Sequence, residues 1–205
     1  MVVPQAFYDC LAICGRLEKS VGNVAHGEFH LFAYLACLLS LYRKKLAADW
    51  GYGFSGTREG APYSMDINTA IDYLILLGLI EEKENYFTLT DKGREEYASL
   101  LQFLTHQERE EFIDGACSSS LVLPMGLIRE ALYQEPELRH VKKLKSSRIL
   151  LDELQVSLIH EHFAALSNAI GIEVKDLIVP SVVWLKYLFQ TREVESHPDE
   201  FTSQH

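Results

Sequence analysis

The sequence has few cysteines and lacks any paired cysteine motif. Its four cysteines, Cys10, Cys14, Cys37 and Cys117, lie in apolar or helical surroundings, and none belongs to a CxxC pair. The first residues, MVVPQAFYDC, lack the basic start and cleavable apolar segment of a signal peptide. These absences predict reduced thiols and a cytoplasmic protein.

Long hydrophobic runs are also missing. The most hydrophobic stretch extends from Phe29 to Tyr42, whereas a membrane-spanning helix needs roughly 20 apolar residues. We therefore expect no membrane segment, and we interpret this stretch as a buried helix that is apolar on nearly every side.

Recognisable catalytic motifs are absent. Gly51 and Gly56 have the glycine spacing of a phosphate-binding loop, but Thr57 stands where its lysine is required. His26 and His30 are four residues apart, as two metal ligands on one helix face would be, yet no third ligand is evident nearby, and an ordinary surface or packing role is favoured. We therefore predict a protein that is not an enzyme and needs no cofactor or metal.

Basic residues are outnumbered. The 205-residue chain has 29 acidic and 19 basic residues and a formal net charge of −10, which repels polyanions at long range. A hydrophobic content of 48% is sufficient for one substantial core or two small ones. The composition predicts a globular protein and disfavours a dedicated nucleic-acid binder, although a local basic patch could override the average.

Helical periodicity dominates the first half. Apolar residues recur at helical spacing from Phe7 to Leu17, and a second helix is predicted from about Val24 to Ala48. The segment Asp49–Pro62 has four glycines, which predicts either an ordered loop or a mobile excursion.

A helix, two strands and a second helix are predicted between residues 64 and 101. Ser64 is a suitable N-cap for the first helix, whose apolar stripe ends at Gly78. Leu79–Ile80 and Tyr86–Leu89 are strand-like runs joined by an acidic turn, and Thr90 or Asp91 can cap the helix that follows.

The second half is predicted to be mostly helical. Ser120 and Pro124 open a helix to about Gln134, Pro136 breaks it, a long helix runs from about Ser147 to Ala169, and Pro180 lies in the first turn of a last helix through Phe189. The predicted domains are residues 1–105, with N-terminal helices and the helix–strand–helix segment, and 106–190, a helical C-terminal region; 191–205 is predicted to be a disordered tail.

The run from Gly60 to Leu100, about a fifth of the chain, resembles the winged-helix signature. Its Pro-Tyr-Ser turn precedes the recognition helix, Gly-Leu-Ile enters the wing, and Leu-Thr-Asp-Lys-Gly leaves it. The resemblance implies a mainly α fold: a winged helix-turn-helix with a two-stranded β wing, followed by a helical C-terminal region. This fold serves both DNA readers and protein adaptors.

Together with the hydrophobic helix before it and the helical second half, this motif is similar to the middle component of bacterial ABC-three-component antiphage defence systems of the Lamassu type. That resemblance implies a non-enzymatic adaptor that binds an SMC-like or ABC ATPase and an effector subunit. The alternative is a winged-helix transcriptional regulator that dimerises through its long helices and binds DNA.

The charge of the predicted recognition helix favours the adaptor. A DNA-reading helix needs Arg or Lys in the major groove, but neither occurs between Arg58 and Lys83. The helix instead presents Asp66, Asp72 and Tyr73, which form either a solvated face or a partner surface. Nucleic-acid binding, if any, is not expected through this helix.

Two further segments are candidates for partner contact. The loop aromatics Trp50, Tyr52 and Phe54 are either anchors in a partner interface or part of a loop folded over its own core. A dense basic segment could contact a nucleic-acid backbone or an acidic partner, or could simply be solvated; it comprises Arg139, Lys142, Lys143, Lys145 and Arg148.

Overall fold

The computed structural model describes residues 1–171 and 176–196, which are mainly helical with small antiparallel sheets. The α-helices are α1 (Pro4–Val21), α2 (His26–Tyr42), α3 (Met65–Leu76), α4 (Asp91–Leu100), α5 (Leu104–Ser118), α6 (Met125–Leu132), α7 (Pro136–Leu144), α8 (Glu153–Ile170) and α9 (Ile178–Ser196). Short 3-10 turns occur at Ala47–Trp50 and Ser119–Leu121. No helix in the described ranges has the length and hydropathy to cross a membrane.

The strands form two three-stranded sheets. In the first, with the order β1-β5-β4, β1 (Val24–Ala25) pairs with β5 (Tyr86–Leu89), and β5 pairs with β4 (Ile80–Lys83). In the second, with the order β3-β2-β6, the central strand pairs with both neighbours; the strands are β2 (Ser55–Gly56), β3 (Pro62–Tyr63) and β6 (Arg148–Ile149).

Helix α2 lies at the centre of the core, as its apolar composition predicts. Every residue from Glu28 to Leu41 is buried, because α1, α5, α6, α8 and β3 all pack around the helix. The helix ends at Tyr42, about six residues earlier than predicted. Lys44 adopts a left-handed conformation (φ 61°), and Lys45 N donates to the Ser40 carbonyl O at 3.0 Å, which closes the helix end.

The helix, two strands and helix predicted between residues 64 and 101 are present. The Thr90 Oγ1 accepts from Gly93 N at 3.0 Å, which caps α4 as predicted. Ser64 occupies the N-cap position of α3, but its side chain makes no capping bond. The hairpin turn is confined to Glu84 and Asn85, both with positive φ, as tight hairpins with two-residue turns require.

Helix α5 was not predicted as an element, and it joins the two halves of the chain. It packs closely against α2 and α1. The buried apolar residues of both halves, from Ala6 to Leu188, belong to a single core. The predicted division at residue 105 therefore does not coincide with a division of the core. The core is shared across that position because α5 covers two helices of the first half.

Three other boundaries differ from the sequence predictions. Pro136 begins helix α7 instead of only ending the one before it, since proline is compatible with the first turn. Helix α8 begins at Glu153 and not near Ser147, because Arg148–Ile149 pairs with Ser55–Gly56. Helix α9 continues to Ser196, into the segment predicted to be a disordered tail, and residues 197–205 lie outside the described residues.

Candidate functional site

An acidic surface is formed by α3 and the β4–β5 hairpin. The carboxylates of Asp72, Glu81, Glu82 and Glu84 are exposed, and that of Asp66 is partly exposed. Asn68 Nδ2 donates to Asp72 Oδ2 at 3.4 Å. The side chains of the predicted recognition helix therefore present negative charge to the solvent.

Large apolar side chains are interleaved with these carboxylates. Leu76 is 78% exposed at the C-terminal end of α3, and Met65, Tyr73 and Ile75 are also exposed on this helix. The Tyr73 ring contacts that of Phe7 in α1 with a centroid distance of 6.2 Å. Exposed aromatic side chains and methionine are enriched at protein interfaces, and the rim of such an interface is polar.

The predicted basic segment is a surface of α7 and β6. Lys142, Lys143, Lys145 and Arg148 are exposed, whereas Arg139 is partly buried and has a contact of its own. Arg139, Lys142 and Lys143 share one face of α7 because they are three and four residues apart. Arg148 lies on β6, and Lys145 lies in the turn between α7 and β6.

The aromatic residues of the loop after α2 point into the molecule. Trp50 and Phe54 are each 3% exposed, and Tyr52 is half-buried. The guanidinium of Arg109 stacks on the Trp50 ring at 3.8 Å, and its Nη1 donates to the Trp50 carbonyl O at 2.9 Å. The loop therefore folds over the chain's own core, the alternative considered for it, and Trp50 and Phe54 offer no exposed ring to a partner.

A buried ion pair fixes this loop to two helices. The Asp9 carboxylate of α1 accepts from Nε and Nη2 of Arg109 in α5, the latter at 2.7 Å, and from the Tyr52 hydroxyl. Both Asp9 and Arg109 are buried. Burial raises the pKa of the Tyr52 hydroxyl well above its ordinary range, and the Asp9 charge raises it further, so the phenol remains a donor.

A second charged cluster lies next to it on the same two helices. Glu110 of α5 accepts from the hydroxyls of Tyr8 at 2.5 Å and Tyr97 at 2.6 Å, and also from the Arg16 guanidinium. Neither this Glu110 cluster nor the neighbouring Asp9–Arg109 pair was identified in the sequence analysis. The available signal was Asp9 itself, a carboxylate in the apolar run Tyr8–Cys14, where a charge needs a buried partner.

His30 has a packing role. Its Nδ1 accepts from the backbone N of Ser64 at 3.1 Å, which fixes the turn before α3. Burial, together with the neighbouring His26, lowers its pKa from 6.5 to about 3, so the ring is neutral. Among the side chains that the structure describes, no three His, Cys, Asp or Glu residues come close enough together to hold a metal ion.

The four cysteines are buried as thiols, and burial raises the pKa of each of them.

No protein-family model matches this chain, and neither a curated protein nor a solved structure is significantly similar to it. Function therefore has to be inferred from the chemistry of the surfaces themselves.

Proposed function

We propose that this chain is a non-enzymatic, cytoplasmic adaptor that binds an SMC-like or ABC ATPase and an effector in a bacterial antiviral defence complex. The observation that carries this proposal is the exposed surface of α3, where carboxylates alternate with large apolar side chains. Such a surface suits a protein partner better than a nucleic acid.

We further propose that residues 1–101 form a winged helix-turn-helix. In support, β1 lies between α1 and α2 and pairs with β5, so that the hairpin after α3 is the outer part of a three-stranded sheet. In this interpretation α3 has the position of the recognition helix, and the β4–β5 hairpin is the wing.

Electrostatics argue against DNA as the ligand of this winged helix. Bringing Asp66, Asp72 and the hairpin glutamates close to phosphates would be repulsive and would release no counterions. Lys83 is the only basic residue between Arg58 and Thr90, so a single cation is available there to offset the repulsion. The same carboxylates can form ion pairs at the rim of a protein interface.

A protein partner can bury the exposed apolar side chains of α3. Fully burying a leucine side chain stabilises an association by about 1.5–3 kcal/mol. Leu76 and Tyr73 protrude beside the acidic residues and can serve as central anchors, while the carboxylates select a partner with a complementary basic patch.

Co-purification with the products of the adjacent genes tests the adaptor. A tagged chain is expected to recover a stoichiometric ATPase, and Leu76→Glu is expected to lose it. Leu121→Glu is the matched control, because Leu121 is 71% exposed on the 3-10 turn Ser119–Leu121, outside α3 and the hairpin. Failure to recover any stoichiometric partner, or equal recovery with both variants, would contradict the proposal.

The regulator alternative makes a different prediction. It requires salt-dependent binding to the chain's own promoter, with loss of binding on charge reversal of Lys83 or Arg94. Arg94 Nη1 is already paired with Glu18 Oε1 at 3.0 Å, which reduces its availability to a phosphate. A sequence-specific complex that these variants abolish would favour the regulator over the adaptor.

A further inference from the structure

Helix α8 has an apolar stripe that the described part of the chain leaves exposed. One face is buried through Gln155, Ile159 and Phe163. The stripe beside it is exposed: Leu154 is 80% and Leu158 is 50% exposed, and Ala165 and Ala169 continue the same line at helical spacing. A helix packed on only one of two apolar stripes has a face available for a second contact.

The two ends of this stripe have different shapes. At the N-terminal end, Leu154 and Leu158 project from the surface. At the C-terminal end, Ala165 and Ala169 border a largely apolar cleft of about 480 Å³ between α8 and α9, which Val183, Trp184 and Tyr187 also line. The helix therefore offers protruding leucines at one end and a recess at the other.

This arrangement is self-complementary. When two copies of α8 pack antiparallel about an axis between Glu161 and His162, each Leu154 lies opposite the second copy's Ala169, and each Leu158 lies opposite its Ala165. Because each of these two pairs occurs twice in a symmetric dimer, a leucine packs against an alanine at four places. The two leucines of each copy then face the cleft of the other copy. A two-fold interface requires this property, because the same patch must fit itself.

Polar groups are complementary in the same register. Glu161 and His162 are both exposed at the centre of the stripe, where an antiparallel pair places each glutamate, a hydrogen-bond acceptor, opposite the second copy's histidine, whose ring N–H can donate. A parallel arrangement would instead place Glu161 next to Glu161 and leave the cleft of each copy without a leucine to fill it.

We propose that the chain forms an antiparallel homodimer through the exposed stripe of α8, with the leucines of each copy packed against the α8–α9 cleft of the other. The dimer is separate from the surface of α3 and does not depend on the adaptor proposal. It adds a second copy of this chain as a partner.

Sedimentation equilibrium of the full chain tests the dimer. The wild type is expected to dimerise in the micromolar range, and Leu158→Glu is expected to raise the dissociation constant at least tenfold, because it places a carboxylate against the second copy's Ala165. Leu121→Glu is the matched control and is expected to dimerise like the wild type. A wild type that stays monomeric at 100 micromolar, about a hundredfold above a dissociation constant of about 1 micromolar, would overturn the proposal. Equal effects of the two variants would also overturn it.

Cysteine cross-linking tests the register, and the four native thiols do not interfere because they are buried. An equimolar mixture of Leu158→Cys and Ala165→Cys chains is expected to form a disulfide-linked dimer on mild oxidation. Each variant alone is expected to cross-link much less, because identical positions in this register are seven residues apart, about 10 Å along the helix. Efficient cross-linking of Leu158→Cys alone would show a different packing and overturn the proposed one.

Discussion

The Arg109 guanidinium is held between a carboxylate and an aromatic ring in the interior. Asp9 accepts two of its N–H groups, and the Trp50 ring covers its face at 3.8 Å. Each contact compensates part of the cost of removing the charge from water. Because the three residues come from α1, the loop after α2 and α5, this single side chain fixes three segments relative to one another.

Breaking this pair is expected to destabilise the fold strongly. Asp9→Asn leaves the Arg109 charge buried without its counter-ion and should lower the free energy of unfolding by about 3 kcal/mol or more. Urea denaturation followed by circular dichroism measures the change. The double variant Asp9→Asn/Arg109→Met should be more stable than Asp9→Asn, since it removes the uncompensated charge as well.

The exposed pair between Lys45 and Glu108 is the matched control. Solvent screens these two charges, so Glu108→Gln should leave the urea midpoint unchanged. If Asp9→Asn were equally harmless, the buried pair would have no structural role.

The neutral His30 predicts a dependence of stability on pH. Its pKa is about 3 in the folded chain, chiefly because of burial, and 6.5 when unfolded. Above pH 6.5 both states are neutral; as the pH falls toward 3, only the unfolded state gains a proton. The His30 contribution to stability is therefore complete above pH 6.5 and is lost below it, by up to about 1.4 kcal/mol per pH unit.

A comparison with His30→Gln isolates this effect from other groups. Glu135 has the opposite dependence: burial raises its pKa to about 7, so its contribution is lost as the pH rises. The difference in unfolding free energy between wild type and His30→Gln should shrink from pH 7 to pH 4. A difference that stays constant would show that His30 does not remain neutral.

At the scale of elements, the sequence predicted those whose ends are specified locally. The α3–hairpin–α4 segment was predicted because Gly78 and Thr90 have local roles that their chemistry specifies. Helix α5 was missed because its inward face includes Arg109 and Glu110, which look like surface residues until their partners in α1 are known.

Long-range contacts account for the other differences. The start of α8 depends on β6 pairing with β2, some ninety residues earlier, and local periodicity carries no information on such a pairing. In the candidate site, the charges of α3 and α7 were predictable from composition alone. The burial of Trp50 was not, because it depends on Arg109, which lies 59 residues further along the chain.

The close approach of α4 to Leu79, the residue before β4, requires glycine at position 93. A Cβ at Gly93 would lie 1.9 Å from the Leu79 carbonyl O, so Gly93→Ala should force the two segments apart and lower the free energy of unfolding by about 2 kcal/mol. Thermal denaturation of the wild type and the variant measures this loss of stability. Gly126→Ala in α6 is the control: no atom lies within 4 Å, and alanine should leave stability unchanged or raise it by up to about 1 kcal/mol.

At the scale of the whole molecule, two surfaces carry opposite charge. The acidic surface lies on α3 and the hairpin, and the basic surface lies on α7 and β6, within a chain of net charge −10. Two surfaces of opposite sign on different elements suit a protein that contacts more than one partner, as the proposed adaptor does. If the chain also contacts nucleic acid, the basic surface is the place that its charge favours.

The continuity of the core predicts that the first half cannot fold alone. Helix α2 is apolar on nearly every side, and α5 is one of the helices that cover it. A fragment of residues 1–105 would expose the apolar face that α5 covers and would leave Asp9 without Arg109. We expect this fragment to aggregate or to unfold without a cooperative transition, whereas the full chain should unfold in one cooperative step, as measured by calorimetry. Cooperative unfolding of the fragment would instead show that residue 105 divides two independent domains.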